Sequence, residues 1–499
     1  MARLRFPGFP PALKPVYTDD NLMIRIIYAT KEDPATELQD ACPQVTLMYG
    51  VVERYFLALV KTIEKSARNE LLKFLKLEYR DVGDACLTSG QDNTTYTGFL
   101  LPEGQSSYPQ GYKIVSFYAD PERLIEKCYV LRRDGWRGDL HLYQRILAPE
   151  KVRKMRTYLS HEKRVYVNNI IATLPSSTQI NDAAVLGRNI PEADLGRAKP
   201  VSIQIPAEYD SICIVDGQHR VFCYHEGTDK AEDVIRHLRK RQTLLVTGIV
   251  YPESVPEDGR RQFEARLFLE INNNQTRVKS ALTQEIALLL NPYSPISLAK
   301  RVVKELAKRG PYKGLLQTGF FDSPYKIKTT SIVSYGLRPL VKLDGRDSLY
   351  SVWNRKAMIH DGRGEISHAE AERYVAFCVE KINDFMLAAK LAHAEAWNLG
   401  PSAKSRSPLM KPTVINGLIV CLRRIIAAGL PLDSDFHKGK LIGLSTFGFD
   451  GYKSSQWQRL GSELFRTYYG GGGGSFDGSQ EDDSAAAEKL MAGVRASAR

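Results

Sequence analysis

The chain has 499 residues, 43% of them hydrophobic and 25% charged. That composition excludes collagen-like, mucin-like and wholly disordered classes and predicts two or three globular domains with cores that need neither disulfides nor structural metal. Lys and Arg total 69 against 57 Asp and Glu, a formal charge of +12 and a pI near 9.1; such an excess attracts polyanions, nucleic acid first among them, and simple solubility accounts for it equally well.

The N-terminus, MARLRFPGFPPALKP, is basic but has no apolar run before its prolines, so it does not read as a signal peptide, and residues 1–20 are expected as an extended arm. Val52, Tyr55, Phe56, Leu59, Val60 and Ile63 recur at helical spacing, and Leu71, Leu72 and Leu75 continue the helical region. Gly83 to Gly111 is rich in Gly, Ser, Thr, Asn and Pro and reads as a loop at a domain boundary. Residues 1–110 are therefore expected as a mostly helical N-terminal extension.

Strands and helices then alternate. Lys113–Ala119 reads as a strand, and Pro121 opens a helix expected to reach Leu131. Leu140–Ile146 is a short strand ending in Tyr143-Gln144-Arg145, and a helix from Ala148 to Tyr158 follows. Val201–Ile205 and Ser211–Val215 read as a strand pair, Thr243–Tyr251 as a strand, and Pro256 to about Ile271 as a helix. This alternation predicts a mixed α/β core over residues 111–290, an α+β fold class.

Residues 291–469 read as a helical C-terminal domain, in which Val375, Cys378, Ile382, Phe385, Met386 and Ala389 form a core-facing stripe. Residues 470–499 open on five glycines and carry five acids against three bases, a flexible acidic tail. Ile415–Leu432, the most apolar stretch, is interrupted by Arg423 and Arg424 and cannot span a bilayer. The seven cysteines are odd in number, widely spaced and free of C-x-x-C pairs, which fits a reducing compartment. Together these features predict a soluble cytoplasmic protein with no membrane partner.

The segment that carries chemistry is Ser211-Ile-Cys-Ile-Val-Asp216-Gly217-Gln218-His219-Arg220. A β-branched run ending in Asp-Gly predicts a strand, a tight turn and a helix start. Gly217 is free to take positive φ or to admit a ligand close to the backbone. Arg220, with His219, would face an anion. Asp216 could hold Mg²⁺ or accept a proton, and Gln218 could orient a ligand or water. An ordinary Asp-Gly turn followed by a polar helix start accounts for the same residues.

VDGQHR resembles the signature of the DGQHR-domain proteins, a branch of the ParB/sulfiredoxin superfamily whose members include regulators of DNA phosphorothioation and subunits of 7-deazaguanine DNA modification. Tyr143-Gln144-Arg145 resembles the Gln/Arg box that precedes the signature in ParB-like domains. Phe268-Leu-Glu-Ile-Asn272-Asn273-Asn274-Gln275 resembles the F-x-x-I-N stretch that follows it. The resemblance covers about residues 113–340 and implies a ParB/sulfiredoxin-like core that binds ATP or another nucleoside triphosphate with Mg²⁺. Asp216, Gly217, Gln218, His219 and Arg220 would form a phosphate cradle approached by Gln144 and Arg145, with catalysis assigned to Asp216, Gln218 and His219. Asn272 and Gln275 would read a base or ribose, or else form a helix cap and loop. Sulfiredoxins carry cysteine where Gln218 stands, so repair of cysteine sulfinic acid is not expected. Cys213 and Cys223 read as structural. No GxxxxGK[ST] motif occurs, which excludes P-loop chemistry.

Three basic clusters are candidate DNA-backbone contacts: Arg153, Lys154, Arg156, Lys163 and Arg164; Arg236, Arg239, Lys240 and Arg241; and Lys300, Arg301, Lys304, Lys308 and Arg309. Solvated helix faces account for each of them singly. The leading expectation is a nucleotide-binding, ATP-hydrolysing component of a bacterial DNA-modification or phage-defence system, with DNA and other subunits of that system as partners. The competing reading is a non-enzymatic DNA-binding transcriptional regulator. A ParB-like nuclease ranks last, because Asp216 is the only carboxylate in the motif.

Overall fold

The computed structural model describes residues 25–30, 45–78, 81–82, 94–129, 147–183, 197–273, 280–319, 322–323, 325–400 and 406–470. The proline-rich arm, the 140–146 strand with Gln144 and Arg145, Gln275 and the acidic tail lie outside them. The chain divides into two compact units, residues 1–307 with 314–334, and residues 308–313 with 335–499. The expected boundaries at 110 and 290 do not coincide with this division.

In the first unit, β1 (Ile26–Thr30) and β2 (Val45–Tyr49) form a two-stranded parallel ladder, followed by helices α1 (Gly50–Ile63) and α2 (Arg68–Phe74). The main sheet is built from β3 (Thr94–Leu101), β4 (Lys113–Ala119), β5 (Cys128–Tyr129), β6 (Ile170–Leu174), β7 (Gln179–Asp182), β8 (Lys199–Ile205), β9 (Ile212–Asp216) and β10 (Leu244–Val250). Its order is β5-β9-β6-β10-β4-β3-β8-β7. β5 with β9 and β6 with β10 are parallel, and the remaining pairs are antiparallel. The architecture is mixed α/β, as expected.

Two expectations are corrected. β3 is an interior strand between β4 and β8, although it lies in the segment expected as loop and helical extension. Gly98 is one source of that misreading: a Cβ there would sit 2.4 Å from the Ser116 carbonyl oxygen, so glycine marks close strand packing here and not a turn. β8 and β9 are both strands, but β8 pairs with β3 and β7 while β9 pairs with β5 and β6.

The helices are α3 (Pro121–Lys127), α4 (Pro149–Glu162), α5 (Gln218–Phe222), α6 (Glu232–Arg241), α7 (Glu257–Asn273), α8 (Ser280–Leu290) and α9 (Pro295–Lys308). α3 begins where Asp120 accepts the Arg123 N–H at 2.9 Å and Pro121 fills the first helical position. It stops short of Leu131 because Cys128 turns extended and joins β9. One sheet face, through Val115, Phe117, Val201, Ile203 and Val246, packs in a single core with Tyr55, Leu59, Leu124, Leu159, Phe222 and Ile235 from the helices. On the other face, Val215 and Ile249 join a second core with Phe268, Leu269 and Ile286 of α7 and α8.

The second unit centres on α10 (His368–Ala392), α11 (Pro412–Ala427), α12 (Ser434–Lys440) and α13 (Trp457–Phe465). The α10 stripe is buried as its spacing predicts, from Val375 through Ala389. His437 is fully buried, with Nδ1 3.0 Å from the Tyr469 hydroxyl and its ring edge-on to Phe385. Among the described residues no helix is long and apolar enough to cross a membrane.

Candidate functional site

The strand, turn and helix read from VDGQHR are present. β9 ends at Asp216, Gly217 has φ 98° and ψ 8°, and α5 begins at Gln218. The register of β6 against β9 shifts between Ile171 and Ala172, at the point where β9 delivers Asp216 to the turn. The left-handed backbone at Gly217 disfavours a side chain, and a Cβ there would lie 2.6 Å from Ile170 Cδ1 and 3.1 Å from Arg220 Nη2. The space that glycine leaves is thus occupied by the guanidinium of its own turn.

Arg220 Nη2 donates to Asp216 Oδ2 at 2.8 Å, with the two side chains 16% and 31% exposed. The two members of the turn expected to meet an anion and a metal therefore neutralise one another. The Arg220 N–H donates to the Gly217 carbonyl at 2.8 Å, which closes the turn. His219 Nε2 accepts the Ala148 N–H at 3.3 Å, just before α4, so that ring nitrogen carries no proton. Gln218 is half-buried at the first position of α5.

Asn272 lies in the last turn of α7, and nothing of its side chain is described; Gln144, Arg145 and Gln275 fall outside the described residues. The structure therefore brings Asp216, Gly217, Gln218, His219 and Arg220 together; of the flanking boxes it shows Phe268 and Leu269 buried in the core on α7 and leaves Gln144, Arg145 and Gln275 outside the described residues. Among the described residues no cluster of three or more His, Cys, Asp or Glu has the arrangement of a metal site. With Arg220 on its Oδ2, Asp216 would offer Mg²⁺ its other carboxylate oxygen, and both once the guanidinium moves to another anion.

The chain beyond α5 is pinned by two buried arginines. Arg156 is 1% exposed. It donates to Asp229 Oδ2 at 2.9 Å, Glu232 Oε2 at 2.5 Å and the His225 carbonyl at 2.6 Å. Arg239, 4% exposed, donates to the Tyr224 and His225 carbonyls and to Glu232. Burial pushes the Glu232 carboxyl up, but the Gly227 N–H and the two guanidiniums outweigh it and hold it below its ordinary value. Lys300 is likewise buried, 3.0 Å from Glu285. Arg156, Arg239 and Lys300 are therefore removed from the candidate DNA contacts: each compensates a carboxylate inside the fold. Lys163, Arg164, Lys240 and Arg241 remain exposed.

Sequence reasoning missed Glu264. It is buried behind β9 and β6, where its Oε1 accepts from Thr173 Oγ1 at 2.7 Å, Tyr251 at 2.8 Å and Tyr129 at 3.4 Å. Burial raises its carboxyl above the usual range despite those donors. The signal that could have found it is its place four residues before Phe268 on an apolar helix stripe. Cys213 and Cys223 are buried with thiols pushed upward, Cys223 to about 12, which is the inert behaviour expected of structural cysteines. No protein-family model, curated protein or solved structure matches the chain.

Proposed function

We propose that this protein is a nucleotide-binding, ATP-hydrolysing component of a bacterial DNA-modification or phage-defence system, with a ParB/sulfiredoxin-like core. The observation that carries the reading is the partly exposed Asp216–Arg220 pair on a positive-φ glycine turn between strand and helix. Such a pair is a resting state for a phosphate site: a polyphosphate competes with Asp216 for the guanidinium, and the freed carboxylate is then the residue to hold Mg²⁺. Gln218 is adjacent to orient water. His219, as an acceptor on a ring with its proton at the other nitrogen, is suited to proton transfer rather than to charge neutralisation. DNA and other subunits of the system are the proposed macromolecular partners.

Calorimetric titration with a panel of nucleoside triphosphates, with and without Mg²⁺, tests the site. Arg220→Ala removes a charge-assisted contact worth about 1.5–3 kcal/mol, so affinity falls roughly ten- to a hundredfold. Unchanged affinity in a folded Arg220→Ala protein, or no binding of any triphosphate by the wild type, overturns the assignment. Salt-sensitive DNA binding without nucleotide binding would favour the regulator.

A further inference from the structure

One face of the main sheet packs on helices α1, α3, α4 and α6, whereas on the opposite face α7 and α8 cover only part of it. Phe99 on β3 is 60% exposed and Tyr118 on β4 is 62% exposed. Both point away from the core that holds Val115 and Phe117, as strand alternation requires. Phe99 stands opposite Ser116, and Tyr118 lies two residues beyond Ser116 on β4, so Phe99 and Tyr118 are diagonal neighbours on one face, at residue positions roughly 7–8 Å apart. Around them the same face presents Thr95, Thr97, Ser116, Ser202 and Thr247. Among the described strand residues of this half-face there is no carboxylate.

Charge is added at the end of the sheet nearest Tyr118. Tyr118 pairs with Leu245, and β10 follows directly on the exposed Lys240 and Arg241 at the end of α6. The chain approaches the parallel neighbour β6 through the exposed Lys163 and Arg164, and Gln242 Nε2 donates to the Lys163 carbonyl at 2.9 Å, tying the two basic segments together. Four exposed basic side chains, on the segments that leave α4 and α6 of the buried face, thus lie towards the end of the sheet nearest Tyr118, in a chain of charge +12.

We propose that this half-face is a stacking platform for single-stranded nucleic acid, with Phe99 and Tyr118 stacking on two unstacked bases and Lys163, Arg164, Lys240 and Arg241 following the phosphates. A sheet face with exposed rings is open to bases splayed from a single strand, whereas the bases of a duplex are stacked on one another and offer no free faces to such rings. Hydroxyls beside the rings donate to and accept from base edges and so tolerate many sequences. The platform goes beyond the nucleotide reading and does not depend on it, because it uses none of residues 216–220.

The test is fluorescence polarisation with labelled oligothymidylate, oligouridylate and a duplex of equal length, on the full chain at about 50 mM and about 200 mM salt. The expected result is tighter binding of a single strand than of the duplex. Phe99→Ala and Tyr118→Ala should each weaken single-strand binding about five- to a hundredfold, with Phe99→Trp retaining it and thermal melts unchanged. Lys240→Gln with Arg241→Gln should flatten the salt slope by about 1.4, the contribution of two phosphates, while the aromatic variants leave the slope alone. Comparing the thymidine and uridine strands distinguishes DNA from RNA. The proposal is overturned by a wild type that binds no single strand at low salt, by a double Phe99→Ala, Tyr118→Ala protein that binds as the wild type does, or by preference for duplex. It is also overturned if that double variant converts a dimer to a monomer in light scattering, which would make the face a self-association surface. Failure of the nucleotide reading would register separately, as an Arg220→Ala protein with unaltered triphosphate binding.

Discussion

Replacing Arg156 with Met separates a buried structural arginine from a DNA-binding one. A surface arginine removed from α4 would change stability by no more than about 0.5 kcal/mol. Arg156 is 1% exposed and satisfies two carboxylates and two carbonyls, so removing its charge strands partners inside the protein. Those partners differ in how much they lose. Glu232 keeps Arg239 at 3.0 Å and the Gly227 N–H at 2.8 Å, and the His225 carbonyl keeps Arg239 at 2.8 Å. Asp229 loses its guanidinium but is 40% exposed and rehydrates. The cost therefore falls at the low end of the 3–5 kcal/mol typical of a broken buried pair, about 3 kcal/mol. At 2–4 °C per kcal/mol that is a fall of roughly 6–12 °C in the melting transition of the first unit. Differential scanning calorimetry reads it, with Arg153→Ala, 65% exposed on the same helix, as a control that should not move. Combined with Asp229→Asn, the two losses should be non-additive, since they share one bond. A shift of Arg156→Met no larger than that of Arg153→Ala would refute the reasoning and return Arg156 to the candidate phosphate contacts.

Two further expectations concern the turn and the second unit. Gly217→Ala must hold a Cβ at φ 98° against Ile170 and the Arg220 guanidinium; the backbone alone costs about 1–2 kcal/mol, so chemical denaturation should show a loss of at least that size, and a variant as stable as the wild type would contradict the turn geometry. His437 is held neutral by burial, its pKa lowered to about 4 against a partly offsetting attraction from Asp433, with Lys381 adding to the depression. Because the unfolded chain takes up the proton first, stability is lost as pH falls from about 6.5 to about 4, by about 3 kcal/mol, and His437→Phe should remove that dependence in urea titrations at pH 7 and pH 4.5.

Much of the fold follows from local pattern. Lys113–Ala119 alternates and is a strand over those same residues; the helical spacing from Val52, with Val60 exposed, and the stripe from Val375 mark buried helix faces. Strand pairing is not local. Val201–Ile205 and Ser211–Val215 are close in sequence and both extended, yet their partners include strands some forty or more residues away in each case, so adjacency in the chain misleads. β3 is obscured because threonine and glycine are the residues of both a loop and a tightly packed strand, and only the Ser116 backbone lying over Gly98 decides between them. At the site, Asp-Gly before a polar helix start is enough to place the turn, but not to show that Arg220 folds back onto Asp216, a contact between residues four apart that depends on side-chain direction.

The basic clusters are where local pattern misleads most, and there is a rule behind it. Counting charges along the chain treats Arg153, Lys154 and Arg156 as alike, whereas helical geometry separates them. Arg156 stands four residues after Val152 and three before Leu159, both buried, so it lies on the apolar stripe of α4 while its neighbours face outward. Arg239 has the same relation to Ile235 on α6, and Glu264 to Phe268 on α7. A charge on a buried stripe must meet a counter-charge or a set of hydrogen-bond partners, because its desolvation otherwise exceeds what the fold can support. Each of the three does so, Arg156 and Arg239 around Glu232 and Glu264 with three hydroxyls. Two of these networks flank the Asp216 turn from within the first unit: the arginines fix the chain that leaves α5, and Glu264 binds Thr173 of β6 and Tyr251 just after β10, in the layer of α7 packed on β9. The turn is thereby mounted on elements held by buried hydrogen-bonded networks, and on the proposed reading the partly exposed Asp216–Arg220 pair is the contact there that an incoming anion opens.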